Sequence, residues 1–210
     1  MRKFIVGLFI ICSAAGMKAQ KMEDVFVKMT DNLIVQLEEA WRKDLVDLYK
    51  SGKVAVLENM MQGKSVLKQL ADDYLLLQTT ERSTIELKLL PLVNNTYIIC
   101  MVETVYAPVA DSRVSFYTTE WQALTADDLI DPVTDDWFWK EDVDRSSAVF
   151  QDAASRLDLC LVKYYLDAES TTLTAEYTTP EYLDEDHRDK IKPLLKAAPR
   201  VYEWRSGHFE

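Results

Sequence analysis

The sequence predicts an α+β fold in which an antiparallel meander sheet carries helices packed on one face. Three observations predict it. Apolar residues recur at helical spacing from Phe26 to Leu48, alternating segments separated by short polar turns run from Tyr74 to Thr119, and a later set of helix and strand signals partly repeats the first.

The chain opens with Met1-Arg2-Lys3, an apolar run from Phe4 to Cys12, and small residues before Ala19-Gln20. A basic start, a short apolar core and a small-residue exit are the parts of a secretory leader, so residues 1–19 read as a signal peptide and the product as exported, to the periplasm or the outer surface. Cleavage after Ala19 is preferred, with cleavage after Gly16 as the alternative. Cys12 invites acylation, but the branched Ile11 before it does not suit a lipoprotein peptidase, which argues against a lipid anchor. No later segment approaches the roughly 20 apolar residues of a membrane span, so no transmembrane segment is expected.

Residues 20–71 read as a mainly helical segment that packs on the sheet. Phe26, Met29, Leu33, Leu37, Trp41, Leu45 and Leu48 step by three or four, a break falls at Thr30-Asp31 with Thr30 as a helix cap, and Gly52 is a stop. Residues 53–71 fit either a helix pair or a hairpin turning at Gln62-Gly63-Lys64.

Residues 72–210 read as the α+β domain. Strands are predicted over 74–79, over 84–90 with Ile85, Leu87 and Leu89 alternating against Glu86 and Lys88, over 97–106 after the turn Asn94-Asn95, and over 113–119. An acidic segment, 126–136, then leads to Trp137-Phe138-Trp139. A helix over 142–154, strands over 157–167 and 171–179, a helix from Pro180 to Ile191 and a strand over 200–205 complete the chain. A shift of 60 residues aligns the strand pairs 98–119 and 158–179 with five identities in 22 positions, among them Cys100 with Cys160 and Tyr117-Thr118-Thr119 with Tyr177-Thr178-Thr179. Cys100 and Cys160 thereby become a possible disulfide, although buried free thiols are the preferred reading.

Composition limits function. Loss of Arg2, Lys3 and Lys18 with the leader leaves 21 of the 24 basic residues against 35 acidic ones, a net charge of −14. Such a surface repels nucleic acid and anionic lipid. Only Gly52, Gly63 and Gly207 survive processing, which speaks against phosphate cradles and strained nucleophile elbows. The only histidines, His187 and His208, form no ligand-spaced cluster, and Asp184-Glu185-Asp186 lacks the calcium-loop pattern, so neither metal nor cofactor is expected. No nucleophile motif is present, and the reading leans away from an enzyme. The candidate binding residues are Asp135, Asp136, Trp137 and Trp139, because carboxylates and aromatic faces suit sugar rings, with anchoring of a loop into the core as the plainer reading.

At Asp72-Asp-Tyr-Leu-Leu-Leu-Gln, Lys88-Leu-Leu-Pro, Ser115-Phe-Tyr-Thr-Thr-Glu-Trp and Tyr177-Thr-Thr-Pro-Glu-Tyr-Leu, the sequence resembles a family of exported Bacteroidales proteins of unknown function. That resemblance implies a Gram-negative envelope and carries over no catalytic residue. The element order is also similar to β-lactamase-inhibitor-like and PepSY-like domains, a topological likeness that confers no function. The expected function is a non-enzymatic binding or structural module whose partner is an envelope protein or a glycan. A carbohydrate-binding or carbohydrate-active protein is the alternative, and a carrier with a closed apolar cavity of at least about 300 Å³ is a third reading.

Overall fold

The computed structural model describes residues 20–210 except Asn95, so the leader, with Ile11 and Cys12, lies outside the described residues. Among the described residues no helix is long and apolar enough to cross a membrane.

The fold is α+β and has three layers. Helices α1 (Met22–Val27) and α2 (Glu39–Lys50) cover one face of a seven-stranded antiparallel meander, and a four-stranded antiparallel sheet covers the other. The meander runs in chain order through β1 (Val56–Glu58), β2 (Lys64–Leu70), β3 (Tyr74–Thr80), β4 (Ser83–Pro91), β5 (Tyr97–Tyr106), β6 (Ala110–Thr118) and β7 (Ala123–Leu124). The second sheet has the order β11 (His208–Phe209), β10 (Arg200–Arg205), β9 (Thr172–Tyr177), β8 (Val162–Leu166). Three short helices add to the core of the second sheet: α3 (Asp135–Phe138) and α4 (Ala148–Arg156) come between β7 and β8 in the chain, and α5 (Glu185–Ile191) between β9 and β10.

The helical segment breaks more widely than its stripe suggests. A single 3₁₀ turn, Asp31–Leu33, separates the two helices, and the Thr30 side chain caps nothing. Arg42 explains the loop's course. Its guanidinium, 1% exposed, donates to the carbonyls of Val27, Met29 and Leu37 and to Asp31 at 2.8 Å, so a buried charge satisfies backbone acceptors that no helix uses. Helix α2 then ends as expected. The N–H of Lys53 reaches back to Leu48, with Gly52 in the left-handed region at φ +71°.

Residues 53–71 form the β1–β2 hairpin and not a helix pair. Asn59 fixes the turn: its Oδ1 accepts from Met61 and Gly63 N–H, and its Nδ2 donates to Ser65 Oγ and the Thr79 carbonyl. The expected four strands thus sit inside a meander of seven.

Both faces of the meander are buried. Ile85, Leu87, Leu89, Ile99 and Met101 face the helices, while Leu90, Ile98, Cys100, Val102 and Phe116 face the second sheet. Each such side chain contributes about 1.5–3 kcal/mol on burial. The Glu86–Lys88 face, the polar side of that alternation, is covered too, at 8% and 1% exposure. Lys88 Nζ pairs with Asp73 at 3.0 Å and donates to the Ala168 carbonyl at 2.9 Å. Glu86 Oε2 accepts from Tyr74 Oη at 3.1 Å and from Leu166 N–H at 3.0 Å.

That last bond belongs to a series along the free edge of β8. Val162 N–H donates to Asp111 Oδ1, Tyr164 N–H to Ser112 Oγ, and Leu166 N–H to Glu86 Oε2. Side chains of the first sheet therefore stand where a neighbouring strand would, which closes an edge that would otherwise invite pairing. The two strand pairs of the 60-residue shift, β5–β6 and β8–β9, are both antiparallel but lie in different sheets.

Candidate functional site

The chain from α3 to β10 is folded by its aromatic residues. Trp139, 6% exposed, packs on Phe150 of α4 with ring centroids 4.7 Å apart and forms a β-bridge with Leu195, just beyond α5. The N–H of Lys140 donates to the Leu194 carbonyl and that of Lys196 to the Phe138 carbonyl. One short segment is thus bonded on one side to α4 and on the other to the exit of α5, and the two helices meet as a result.

Each helix is capped locally. Ser147 Oγ accepts from Phe150 N–H at the start of α4, and Asp144, holding Ser146 through two bonds, keeps residues 142–147 out of the helix predicted there. Asp184 Oδ1 accepts from His187 N–H at the start of α5, while its Oδ2 lies 2.6 Å from His187 Nδ1. This cap divides the expected helix from Pro180 to Ile191 into a 3₁₀ turn, Thr179–Tyr182, and α5.

Between α4 and α5 lies a groove of about 450 Å³ lined by Ala148, Val149, Ala153 and Ile191 and by Asp152, Arg156, His187 and Lys190. Ala153 and Ile191 are buried and tie the floor to the core between the sheets, whereas Val149 is 64% exposed. Charged groups form the rim. Arg156 binds Asp152 through two bonds of 3.0 Å. The Asp152 carboxyl is held below the usual carboxylate range, first by the Arg156 hydrogen bond and then by the charges of Arg156, His187 and Lys190. Asp184 is lowered in the same direction by its bonds from His187, with His187 and Arg156 charge adding to them. Both shifts are set first by hydrogen bonds made at the rim, with the neighbouring cations adding to them. The groove is an open trough between helices and not a closed cavity between sheet and helix.

None of the residues singled out by sequence lines this groove. Asp135 and Asp136 are exposed at the start of α3, and Asp136 is paired with Arg145. Trp137 is half-buried, its ring covered by Lys196 Nζ at 4.3 Å with Arg200 at 5.8 Å. Trp139 is a core residue. The four do not present a shared face of two rings and two free carboxylates; Trp139 alone among them packs on α4 and bridges to the segment after α5. Arg156, His187 and Lys190, which give the groove its charge, carry no signal in a linear reading beyond their helical spacing.

Cys100 and Cys160 are both free. Cys100 is sealed in β5, where burial pushes its thiol well up. Cys160 is exposed, against the expectation of burial, and borders a depression of about 330 Å³ with Asp111, Asp135 and Tyr164. Partial burial raises its thiol, and the Asp135 and Asp111 carboxylates raise it further, so it stays protonated at neutral pH and is a poor nucleophile. Tyr177, stacked on Phe138 at 4.5 Å, is pushed up to about 12 by burial, which leaves its phenol without acid–base use near neutrality. Among the described residues no three His, Cys, Asp or Glu side chains are placed to share an ion.

A family model described as "Protein of unknown function (DUF3256)" matches residues 14–209. A solved structure described as a domain of an uncharacterized protein from Porphyromonas gingivalis W83 is similar at 30% identity and a TM-score of 0.81, over 90% of this chain and 97% of that one. No curated protein matches.

Proposed function

Because the chain belongs to the DUF3256 family of proteins of unknown function, its role has to be read from its own surface, and we propose that it is an exported, non-enzymatic binding module of the Gram-negative envelope. The observation that carries the reading is the α4–α5 groove: apolar along its floor, charged along its rim, and about 450 Å³ in volume, within the range of about 300–1,000 Å³ typical of small-molecule sites. Export is supported by the leader-like residues 1–19. The glycan reading of Asp135, Asp136, Trp137 and Trp139 has less support, since one indole is buried and the other is covered by Lys196.

Titration of the mature domain, residues 20–210, with the neutral apolar dye Nile red tests the groove. Saturable fluorescence enhancement is expected, and Val149→Asp should abolish it while leaving the melting temperature unchanged, because Val149 is largely exposed. Failure to saturate, or equal binding by the variant, would overturn the assignment of the groove. Export is checked by expressing the full chain in a Bacteroidales host and sequencing the product's N-terminus. A chain beginning at Gln20 outside the inner membrane is expected, and an uncut cytoplasmic chain would refute it.

A further inference from the structure

We infer that the α4–α5 groove takes a single-chain amphiphile with one anionic head, its apolar body along Ala148, Val149, Ala153 and Ile191 and its head at Lys190. The inference rests on the reading of this groove as a ligand site and names the ligand's chemistry.

The floor comes first. Two alanines, a valine and an isoleucine offer no polar side-chain atom, and past the first turn of α4, where the Ala148 and Val149 N–H groups have no intrahelical partner, the helix backbones are bonded internally. A sugar or an extended peptide laid along this floor would find polar partners only at the rim and at the start of α4. An alkyl chain loses nothing and removes apolar surface from water.

The rim selects the head. Groove-lining charge consists of one carboxylate, Asp152, against Arg156 and Lys190, with His187 beside them. Asp152 engages Arg156 and Asp184 engages His187. Lys190 takes part in no ion pair among the described residues and is the cation left for a ligand. Two lining cations against one lining carboxylate favour an anionic head over a cationic one.

Displacement of Nile red from the mature domain at low salt, by dodecanoate and by dodecyltrimethylammonium below their micellar concentrations, tests the inference. Dodecanoate should displace the dye at a concentration at least about tenfold lower. Lys190→Glu should weaken dodecanoate about fivefold and strengthen the cation, while Asp152→Asn should do the reverse, both changes lying on exposed side chains whose charge contributions are of this order. Equal displacement by the two amphiphiles, or dodecanoate binding indifferent to Lys190→Glu, would overturn the inference. If Nile red binds and Val149→Asp removes it, yet dodecanoate does not compete, the ligand class falls and the groove stands. If Nile red does not bind at all, both fall.

Discussion

A glutamate between two sheets shows how one residue can be read wrongly from its neighbours. Glu86 alternates with Ile85 and Leu87 and looks solvent-facing, but in the structure it is covered by β8 and accepts from Leu166 N–H and Tyr74 Oη. Burial raises its carboxyl above the ordinary value, with those two bonds and the Lys163 charge working the other way. A folded state that raises an acid's pKa binds its proton more tightly than the unfolded chain does. The corresponding stability is fully present below the unfolded value of 4.5 and is lost as pH rises through the folded one. Glu86→Gln keeps an oxygen acceptor for both donors and removes the titration. Its unfolding free energy at pH 7 should therefore lie within about 1 kcal/mol of wild type or above it. Between pH 4.5 and 7 its stability should fall less steeply with pH than that of wild type. Urea denaturation across that interval decides the matter, and parallel curves for the two proteins would sink the argument.

Among the elements, those legible in the sequence were those whose side-chain pattern is set by one buried face or by a continuous apolar run. Strands β3 to β6 appear within a few residues of their predicted spans. The two-residue strands β7 and β11 are too short to show a period, and β1 and β2 needed Asn59, whose role in the turn is a matter of four hydrogen bonds and not of hydropathy. The placement of β8 and β9 in a second sheet was hidden for a different reason. It depends on polar side chains, Asp111, Ser112 and Glu86, bonding to the N–H groups of an edge strand. Nothing in their types or spacing distinguishes them from surface residues. The groove was hidden likewise, since the contacts of Trp139 with Phe150 and Leu195 that link α4 to the segment after α5 leave no mark in the spacing of residues. The β8 edge yields a selective test. Ser112→Ala removes the acceptor of Tyr164 N–H and should cost about 1–2 kcal/mol. Amide hydrogen exchange at Tyr164 should accelerate more than at Val162 and Leu166, whose acceptors remain. Uniform acceleration of all three would mean that Ser112 acts only through global stability.

At the scale of the whole molecule, the meander is the shared wall of two cores, and this determines how the protein unfolds. One core joins α1 and α2 to Leu75, Leu87 and Ile99; the other joins the second sheet to Leu90, Cys100, Val102 and Phe116. Two cores in a chain of this size could in principle melt separately, as domains do. Here they cannot part cleanly. Detaching the second sheet would expose one whole face of β4 and β5, leave the Lys88 ammonium without the Ala168 carbonyl, and strip Glu86 of its Leu166 donor. Detaching the helices would expose the opposite face of the same strands and break the bond from Trp121 Nε1 to the Val25 carbonyl. Either loss removes most of what holds the meander itself. A single thermal transition is therefore expected by both calorimetry and near-ultraviolet circular dichroism. Leu87→Ala in the helix-side core and Leu173→Ala in the sheet-side core, both fully buried, should each cost about 3 kcal/mol and lower that one transition by roughly 6–12 °C. Two resolved transitions, with Leu173→Ala moving one and Leu87→Ala the other, would show instead that the layers are independent folding units.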